Sequence, residues 1–206
     1  MRKSFLFILL IVISIISFSE LINVKAGDFI GGDDYNVLKN EVMIKKGNLI
    51  IETDSATINL VNDEWRNLTS SEMKITSDTY EASSTTTEFD LQTEKGTLEG
   101  NVVANIYLDE SELIINADVL EIDNKNKSYS GKSDDITTIF KDNYVIKAKE
   151  FRYSENEKIL YLTGNVSIIN EEKKIELLSD NATFNTETDE MKAEKVDLTL
   201  EIEDEE

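Results

Sequence analysis

The stretch GNVVANIYLDESELIINADVLEIDNKNKSYSG, residues Gly100–Gly131, decides the fold that this sequence predicts. Two runs rich in Val, Ile, Leu and Tyr, Asn101–Leu108 and Leu113–Asp123, alternate with short segments of Asp, Asn, Glu, Ser and Lys. β-branched and aromatic residues favour strands, whereas the residues of the short segments favour turns. The stretch therefore predicts a β-hairpin followed by the start of a third strand.

The same hairpin recurs along the chain. Its first apolar anchor falls at positions 58, 89, 120, 151 and 184, in steps of 31, 31, 31 and 33 residues. The anchors with their second apolar neighbours are Ile58 with Leu60, Phe89 with Leu91, Leu120 with Ile122, Phe151 with Tyr153, and Phe184, which Thr186 follows instead. A fixed period of this size is typical of repeat architectures. Each repeat holds two apolar runs, which predicts one hairpin per repeat.

Turn residues divide the chain into eleven predicted strands, which form an antiparallel meander. These strands are Val37–Lys46, Leu49–Asn62, Trp65–Ser77, Tyr80–Gln92, Thr97–Leu108, Leu113–Asp123, Ser128–Phe140, Tyr144–Ser154, Lys158–Asn170, Lys174–Glu187 and Glu190–Glu203. The chain contains no Pro, which suits paired strands because Pro lacks the N–H that a ladder needs. Residues 27–36 are predicted to be a loose lead-in to the β-domain at 37–203, and residues 204–206 an acidic end.

Within the longer strands the apolar alternation changes phase. Ile115 and Ala117 have one parity, whereas Leu120 and Ile122 have the other. The same shift separates Ile146 and Ala148 from Phe151 and Tyr153, and Leu49 and Ile51 from Ile58 and Leu60. A strand that keeps one apolar face through such a shift must contain a bulge or bend. The pattern predicts a meander bent into a jelly roll or sandwich; the alternative is that both faces of each strand are half-buried.

The N-terminus has the form of an export signal. Met1-Arg2-Lys3 is basic, Phe5–Phe18 is apolar, and Val24-Lys25-Ala26 fits a signal peptidase site. The apolar run is shorter than the roughly 20 residues that span a bilayer as a helix. We therefore predict that residues 1–26 are removed and that the chain is periplasmic; the alternative is an uncleaved membrane anchor.

Charge and composition restrict the function. Without residues 1–26 the chain has 18 basic and 41 acidic residues, a net charge of −23, which argues against binding nucleic acid or anionic membranes. The chain has no His and no Cys, so it lacks an imidazole base and a thiol nucleophile. Acidic pairs such as Asp109-Glu110 and Asp134-Asp135 are interpreted as solvated turns. We predict a protein without enzymatic activity, cofactor or metal site.

Three sequence steps at the strand bends resemble a known family. They are Glu99-Gly100-Asn101-Val102, Thr163-Gly164-Asn165-Val166 and Lys39-Asn40-Glu41-Val42, interleaved with ADVLEID (Ala117–Asp123), AKEFRYS (Ala148–Ser154) and NATFNTE (Asn181–Glu187). These motifs resemble the OstA-like (organic solvent tolerance), LptA-type family of periplasmic lipopolysaccharide-transport proteins, over roughly residues 37–200. The first step departs from the family pattern with Asn-Glu-Val, and the last repeat lacks its second aromatic residue at Thr186.

The resemblance implies a bent β-jelly roll whose apolar interior carries lipid A acyl chains. Candidates for the lipid-lining side chains are the anchors and their neighbours: Ile58, Leu60, Phe89, Leu91, Leu120, Ile122, Phe151, Tyr153 and Phe184. The alternative for each of them is a place in a solid core. The implied partners are lipopolysaccharide or a similar amphiphile and membrane components with similar jelly rolls.

The two end strands are candidate assembly edges, because an unpaired strand edge can pair with another chain. The first, Val37–Lys46, carries Lys39, Lys45 and Lys46, and the last carries Glu190, Glu194 and Asp197. This contrast in charge predicts a head-to-tail contact between copies. Two other functions stay open at this point: a membrane-anchored, LptC-like partner of the same pathway, and a structural β-repeat protein that binds proteins through its sheet edges.

Overall fold

A computed structural model of the chain describes residues 21–200, which form one antiparallel sheet of fourteen strands. The strands are β1 (Ile22–Lys25), β2 (Asp28–Gly31), β3 (Tyr35–Lys46), β4 (Leu49–Val61), β5 (Glu64–Thr76), β6 (Tyr80–Asp90), β7 (Lys95–Tyr107), β8 (Glu112–Asp123), β9 (Ser128–Lys141), β10 (Tyr144–Ser154), β11 (Ile159–Asn170), β12 (Ile175–Asn185), β13 (Met191–Glu194) and β14 (Asp197–Leu200). From β3 to β12 each strand pairs with the next in sequence. The predicted all-β meander is confirmed, and none of the described residues forms a helix that could span a membrane.

The two ends of the sheet differ from the prediction. Residues 27–36 are not a loose lead-in, because β2 pairs with β3 along Asn36–Lys39. The strand β1 lies within the predicted signal peptide and pairs with the other half of β3, Met43–Lys46. At the far end the predicted strand Glu190–Glu203 is split into β13 and β14, which pair with the two halves of β12. The apolar run Phe5–Phe18 and residues 201–206 lie outside the described residues.

Most of the long strands are bent near their middle by a β-bulge, as the phase changes predict. The register shifts between Lys39 and Val42, between Glu99 and Val102, and between Thr163 and Val166. Both residues inside each of these steps have positive φ: Asn40 and Glu41 at 64° and 55°, Gly100 and Asn101 at 76° and 50°, and Gly164 and Asn165 at 79° and 51°. Gly and Asn adopt such left-handed conformations with the least strain. The Gly-Asn-Val motif therefore forms the bulge at the bends of β7 and β11.

The strands β4–β6 bend without glycine and use hydroxyl groups instead. The hydroxyls of Thr53 and Ser70 share a 2.6 Å hydrogen bond, and Thr53 also donates to the carbonyl of Ser71 at 2.9 Å. In β6 the Ser84 hydroxyl donates to the carbonyl of Thr86 at 3.0 Å and shares a 2.7 Å bond with Thr87. These hydroxyls form hydrogen bonds where the bend interrupts the backbone pairing between strands. This role explains the run of Ser and Thr at 83–87.

The bends fold the sheet over, so that two halves face each other across one core. Strand β8 keeps its apolar side chains buried on both sides of its bend: Ile115 and Ala117 before it, Leu120 and Ile122 after it. Glu121 is exposed. The half-buried alternative is therefore wrong for this strand. Rings from opposite ends of the strands meet in the core: Tyr80 with Tyr129 at 5.6 Å and Tyr144 with Phe184 at 5.0 Å between centroids.

Candidate functional site

Two rows of apolar side chains line the inner surfaces of the folded sheet. We name the first the aromatic row; its cross-strand partners run from β4 to β12 as Ile58, Leu68, Phe89, Gly96, Ile122, Tyr129, Tyr153, Leu160 and Phe184. We name the second, in the other half of the sheet, the isoleucine row; its members are Ile44, Ile51, Ile75, Ala82, Ala104, Ile115, Ile139, Ile146, Ile168 and Leu177. The interior therefore has two continuous apolar walls.

The nine lipid-lining candidates belong to this interior, with one difference from the predicted arrangement. Eight of them are between 0% and 4% exposed, and Leu60 is half-buried. The five anchors do not form a single row: Leu120 and Phe151 pair with opposite sides of Gly131, one step away from the aromatic row. In this structure these side chains fill the space between the walls.

Glycines make room for the largest anchors. A Cβ at Gly131 would lie 2.4 Å from Cε1 of Phe151, and a Cβ at Gly96 would lie 2.4 Å from Cδ2 of Phe89. Each ring therefore lies against the backbone of its cross-strand partner. The tight fit fixes both phenylalanines on the inner surface of the sheet.

Opposite the bends, the tips of the two halves meet along a line of polar side chains, which we name the seam. Among the described residues, four links of similar sequence separation cross it: Lys46 with Glu94, Thr79 with Tyr129, Asp109 with Lys158, and Lys141 with Asp189. Lys173 adds a longer contact to Asp189, at 3.4 Å. The partners of the four links are 48, 50, 49 and 48 residues apart, about one and a half repeats in each case. Each link joins a turn or strand end of one half to the turn or strand end three strands later in the other half. The links of the seam therefore recur with the hairpin repeat.

The link between Lys46 and Glu94 is buried. Nζ of Lys46 lies 2.6 Å from Oε1 of Glu94, and the two side chains are 9% and 11% exposed. The amide of Asn124 also donates to Glu94, at 2.7 Å. Burial alone would raise the pKa of Glu94, but the hydrogen bonds from Lys46 and Asn124 outweigh it and hold the pKa below its ordinary value. Glu94 therefore remains ionised inside the seam.

A second buried lysine closes the other end of the seam. Lys141, whose side chain is 6% exposed, donates to Asp189 at 2.9 Å and to Asp142 at 2.6 Å. Burial would lower the pKa of Lys141, but its bonds to Asp142 and Asp189 outweigh burial and raise it. The ammonium also lies 6.0 Å from the centroid of the Phe184 ring, the last member of the aromatic row. This link thus joins the seam to the interior.

Between the last two links the seam is open to solvent. A cleft of about 700 Å³ there is lined by the link residues Asp109, Lys158, Lys141 and Asp189 and by Tyr153 and Thr186. Tyr153 belongs to the aromatic row, and its hydroxyl lies 3.4 Å from that of Thr186. The floor of the cleft therefore reaches the apolar interior.

The tyrosines beneath the seam differ in hydrogen bonding. The hydroxyl of Tyr129 donates to Glu155 at 2.8 Å, and its ring stacks on Tyr153 at 6.3 Å between centroids. The hydroxyl of Tyr80 is buried and has no hydrogen-bond partner among residues 21–200. Burial raises the pKa of Tyr80, so the hydroxyl stays neutral. A buried hydroxyl without a hydrogen bond lowers the stability of the folded state. The hydrogen-bonding capacity of this part of the seam is therefore not fully used while the two halves are closed.

The assembly candidates are placed differently from the prediction. The strand β3 is not an edge, because β1 and β2 pair along it. Lys46 is directed into the seam and is unavailable for a contact between copies, whereas Lys39 and Lys45 are exposed. Glu190, Glu194 and Asp197 are exposed, and the last two belong to the outermost strands β13 and β14.

The seam and the isoleucine row are the parts of the site that the sequence prediction missed. A signal for the isoleucine row exists: Leu49-Ile51, Ile115-Ala117 and Ile146-Ala148 recur with a parity opposite to that of the anchors. The sequence signal for the seam is weak, because its links join residues of different chemistry about 49 positions apart.

Comparisons with known proteins give two family matches and similar solved structures. A model of the family of LptA and the LptD N-terminal domain, described as an LPS transport protein, matches residues 29–128, and a model of LptC-related proteins of lipopolysaccharide assembly matches residues 114–198. A search of curated proteins found no match. Among solved structures, LptH of Pseudomonas aeruginosa, described as the LptA homologous periplasmic component of a lipopolysaccharide transport device, is similar at 11% identity over 89% of this chain and 96% of that chain, with a TM-score of 0.26. The two family matches overlap at residues 114–128 and together span residues 29–198, so most of the described chain is similar to proteins of lipopolysaccharide transport and assembly.

Proposed function

We propose that this protein is a periplasmic carrier that holds the acyl chains of lipopolysaccharide, or of a similar amphiphile, between the aromatic row and the isoleucine row. The observation that carries the proposal is the continuity of the two rows across the sheet from β4 to β12. At about 4.8 Å per strand, nine strands give walls roughly 38 Å long. Burial of each CH₂ between them contributes about 0.8 kcal/mol.

The interior is chemically suited to acyl chains and to no reaction. Its walls are alkyl and aromatic side chains, and the ionisable groups lie at the seam rather than among them. Binding of an acyl chain needs a dry apolar surface but no catalytic group. We therefore assign the protein a transport role without catalysis, with the lipid head group outside the roll.

A carrier of this kind works as a bridge towards the outer membrane. The predicted export signal supports a position in the periplasm, between the membrane where lipopolysaccharide is released and the one where it is delivered. A membrane-anchored, LptC-like partner is the second candidate, favoured by one observation: cleavage after Ala26 would remove β1 from its place beside β3. The intact mass of the protein after export from a bacterial host separates the two functions.

The proposal is tested by photo-crosslinking from two neighbouring positions. Leu120 is 0% exposed on the inner surface, whereas Glu121 is exposed on the outer surface of the same strand. A photoreactive amino acid at Leu120 is expected to label bound lipopolysaccharide at least tenfold more than one at Glu121. The measurement is the amount of lipid–protein adduct on denaturing gels. Equal labelling at the two positions, or none at either, would contradict acyl-chain binding in the interior.

Head-to-tail assembly extends the carrier. The outermost strands expose large apolar side chains: Leu198 and Leu200 of β14 are 48% and 54% exposed, and Phe29 and Ile30 of β2 are 60% and 56% exposed. Edge strands that avoid association normally carry charges at such positions. A contact between the edge formed by β13 and β14 of one copy and the edge formed by β2 and β1 of the next would align the apolar walls of successive copies, with the acidic residues of β13 and β14 facing Lys39 and Lys45.

We expect the double substitution Leu198→Lys and Leu200→Lys to shift oligomers to monomers. Two charges on the edge would have to lose their hydration in the contact, which is unfavourable. The control is Val103→Lys, since Val103 is 45% exposed but lies in the middle of the sheet. Sedimentation velocity over a hundredfold range of concentration measures the effect. A wild-type protein that is monomeric throughout, or equal behaviour of the variants, would refute the contact.

A further inference from the structure

We propose that the roll takes up and releases acyl chains sideways, by parting along the seam, while the line of bulges acts as the hinge. This inference rests on the proposed carrier function and adds the route by which the ligand reaches the interior. The walls are closed on each other in this structure, with Phe89, Leu120 and Phe184 at 2%, 0% and 0% exposed. An acyl chain can lie between them only after the halves have separated.

Only one long side of the roll can part without breaking backbone bonds. At the bends every strand from β3 to β12 passes from one half into the other, so the two halves are covalently joined there. At the seam the described contacts between halves are made by side chains. They are the ion pairs Lys46–Glu94, Asp109–Lys158, Lys141–Asp189 and Lys173–Asp189, the hydroxyl pair Thr79–Tyr129, and the ring contacts Tyr80–Tyr129 and Tyr144–Phe184. Side-chain links open at far lower cost than a sheet ladder, in which each buried backbone group needs a partner.

The bends have the features of a hinge. At Gly100-Asn101 and Gly164-Asn165 two successive residues have positive φ and the cross-strand register is interrupted, between Glu99 and Val102 and between Thr163 and Val166. Few backbone hydrogen bonds therefore resist a change of angle at these points. Hinges are commonly a few residues that absorb the change in φ and ψ while the flanking elements stay rigid.

The cleft in the seam gives the most direct access to the interior. It lies between the Asp109–Lys158 and Lys141–Asp189 links, and Tyr153 of the aromatic row lines it. The Asp109–Lys158 link is the weaker of the two, because the Asp109 side chain is 83% exposed whereas that of Lys141 is 6% exposed. Exposed ion pairs contribute little to stability and form and break readily. Separation of the halves therefore starts at the Asp109–Lys158 link.

The buried hydroxyl of Tyr80 also supports opening along the seam. It lies beneath the seam with its ring against Tyr129 and has no partner among the described residues while the roll is closed. Separation of the halves gives this hydroxyl access to water or to a polar group of the amphiphile. The closed state thus carries a local cost that opening removes.

The absence of Cys from the chain permits a direct test. In the double variant Asp109→Cys with Lys158→Cys, a short bis-maleimide bridges the seam, whereas a mono-maleimide modifies the same thiols without bridging them. The control variant, Val103→Cys with Asn116→Cys, places the bridge between paired strands of one half. The probe is fluorophore-labelled lipopolysaccharide, and the readout is its rate of uptake. We expect the bridged seam to slow uptake at least tenfold relative to mono-maleimide, with no effect in the control variant.

Uptake at the same rate with the seam bridged would overturn lateral opening and leave the ends of the roll as the route. Failure of the wild-type protein and every variant to bind the lipid would instead refute the carrier function. A second measurement then tests the opening without lipid. Ala148→Cys places a thiol in the interior, where Ala148 is 1% exposed, and its rate of reaction with a thiol reagent reports separation of the halves.

In that background Lys158→Ala removes a seam link, whereas Lys74→Ala removes an exposed ion pair with Glu81 that joins neighbouring strands of one half. We expect Lys158→Ala to raise the reaction rate about threefold, the range that loss of an exposed ion pair gives, and Lys74→Ala to leave it unchanged. Equal rates in the two variants would overturn the assignment of the seam as the opening line.

Discussion

Phe151→Asp is expected to lower the free energy of unfolding by more than any other single substitution considered for this chain. Phe151 is 4% exposed, and its ring packs against the backbone at Gly131. Loss of a buried phenylalanine ring costs about 3–5 kcal/mol. The new carboxylate adds the cost of an unpaired buried charge or of its protonation. The total is comparable with the roughly 5–15 kcal/mol that stabilises a typical domain, so the variant should be largely unfolded.

The matched control is Lys149→Asp, an exposed position two residues earlier in β10. It introduces the same carboxylate on the outer surface, where we expect a change within about 0.5 kcal/mol. Urea titration followed by circular dichroism measures both variants. If the two midpoints were alike, Phe151 would not be a core residue and the inward assignment of the anchors would be wrong.

The sequence predicts the bends of the strands because they depend on local chemistry. A change of parity within one strand, such as that between Ala117 and Leu120, requires an extra residue, and Gly100-Asn101 supplies residues that accept positive φ. Both signals lie within a few residues of each other. The strand order follows as directly, since short turns allow each strand to pair with the next.

The seam and the ends of the sheet depend on distances that a single sequence does not contain. Glu94 meets Lys46 only because two intervening hairpins rotate their turns into line, and neither residue stands out among the many charges of the chain. The strands β1 and β2 have only four residues each, and their pairing depends on the edge that β3 offers. The division of the anchors into two rows also depends on the register of the strands, because Phe89 is aligned through Gly96 with Ile122 rather than with Leu120.

A few buried charges at the seam stabilise the contact between the two halves. Lys46 and Lys141 are the buried lysines, and both face carboxylates across the seam. Much of the acidic surface is solvated, but Glu94 and Asp189 are held by these lysines where the halves meet. The closed roll therefore depends on a few specific pairs rather than on the overall charge.

Substitution of Lys46 by Ala is the second change with a large expected effect. It leaves Glu94, which is 11% exposed, with its hydrogen bond from Asn124 but without its nearest cation. Removal of one partner of a buried ion pair costs about 3–5 kcal/mol. Lys74→Ala is the control, because the Lys74–Glu81 pair has a similar distance of 3.0 Å but side chains 51% and 34% exposed. The control should cost less than about 1 kcal/mol, as measured by urea titration at neutral pH.

The pH dependence of the Lys46→Ala effect distinguishes a lost charge pair from lost packing. In the wild type the pKa of Glu94 is held below its ordinary value of 4.5, so its contribution to stability is present above that pH and is lost as the pH falls through the lowered pKa. Without Lys46, the hydrogen bond from Asn124 and the Lys125 ammonium at 3.9 Å still oppose burial, but the largest influence that lowers the pKa of Glu94 is gone. The pKa of Glu94 therefore rises, and acid destabilises the variant less than the wild type. The difference in unfolding free energy between wild type and Lys46→Ala is therefore expected to shrink between pH 7 and about pH 4, whereas that of Lys74→Ala stays small throughout. A Lys46→Ala difference that does not change with pH would mean that the lysine stabilises the seam through its alkyl chain, and that its charge does not hold the roll closed.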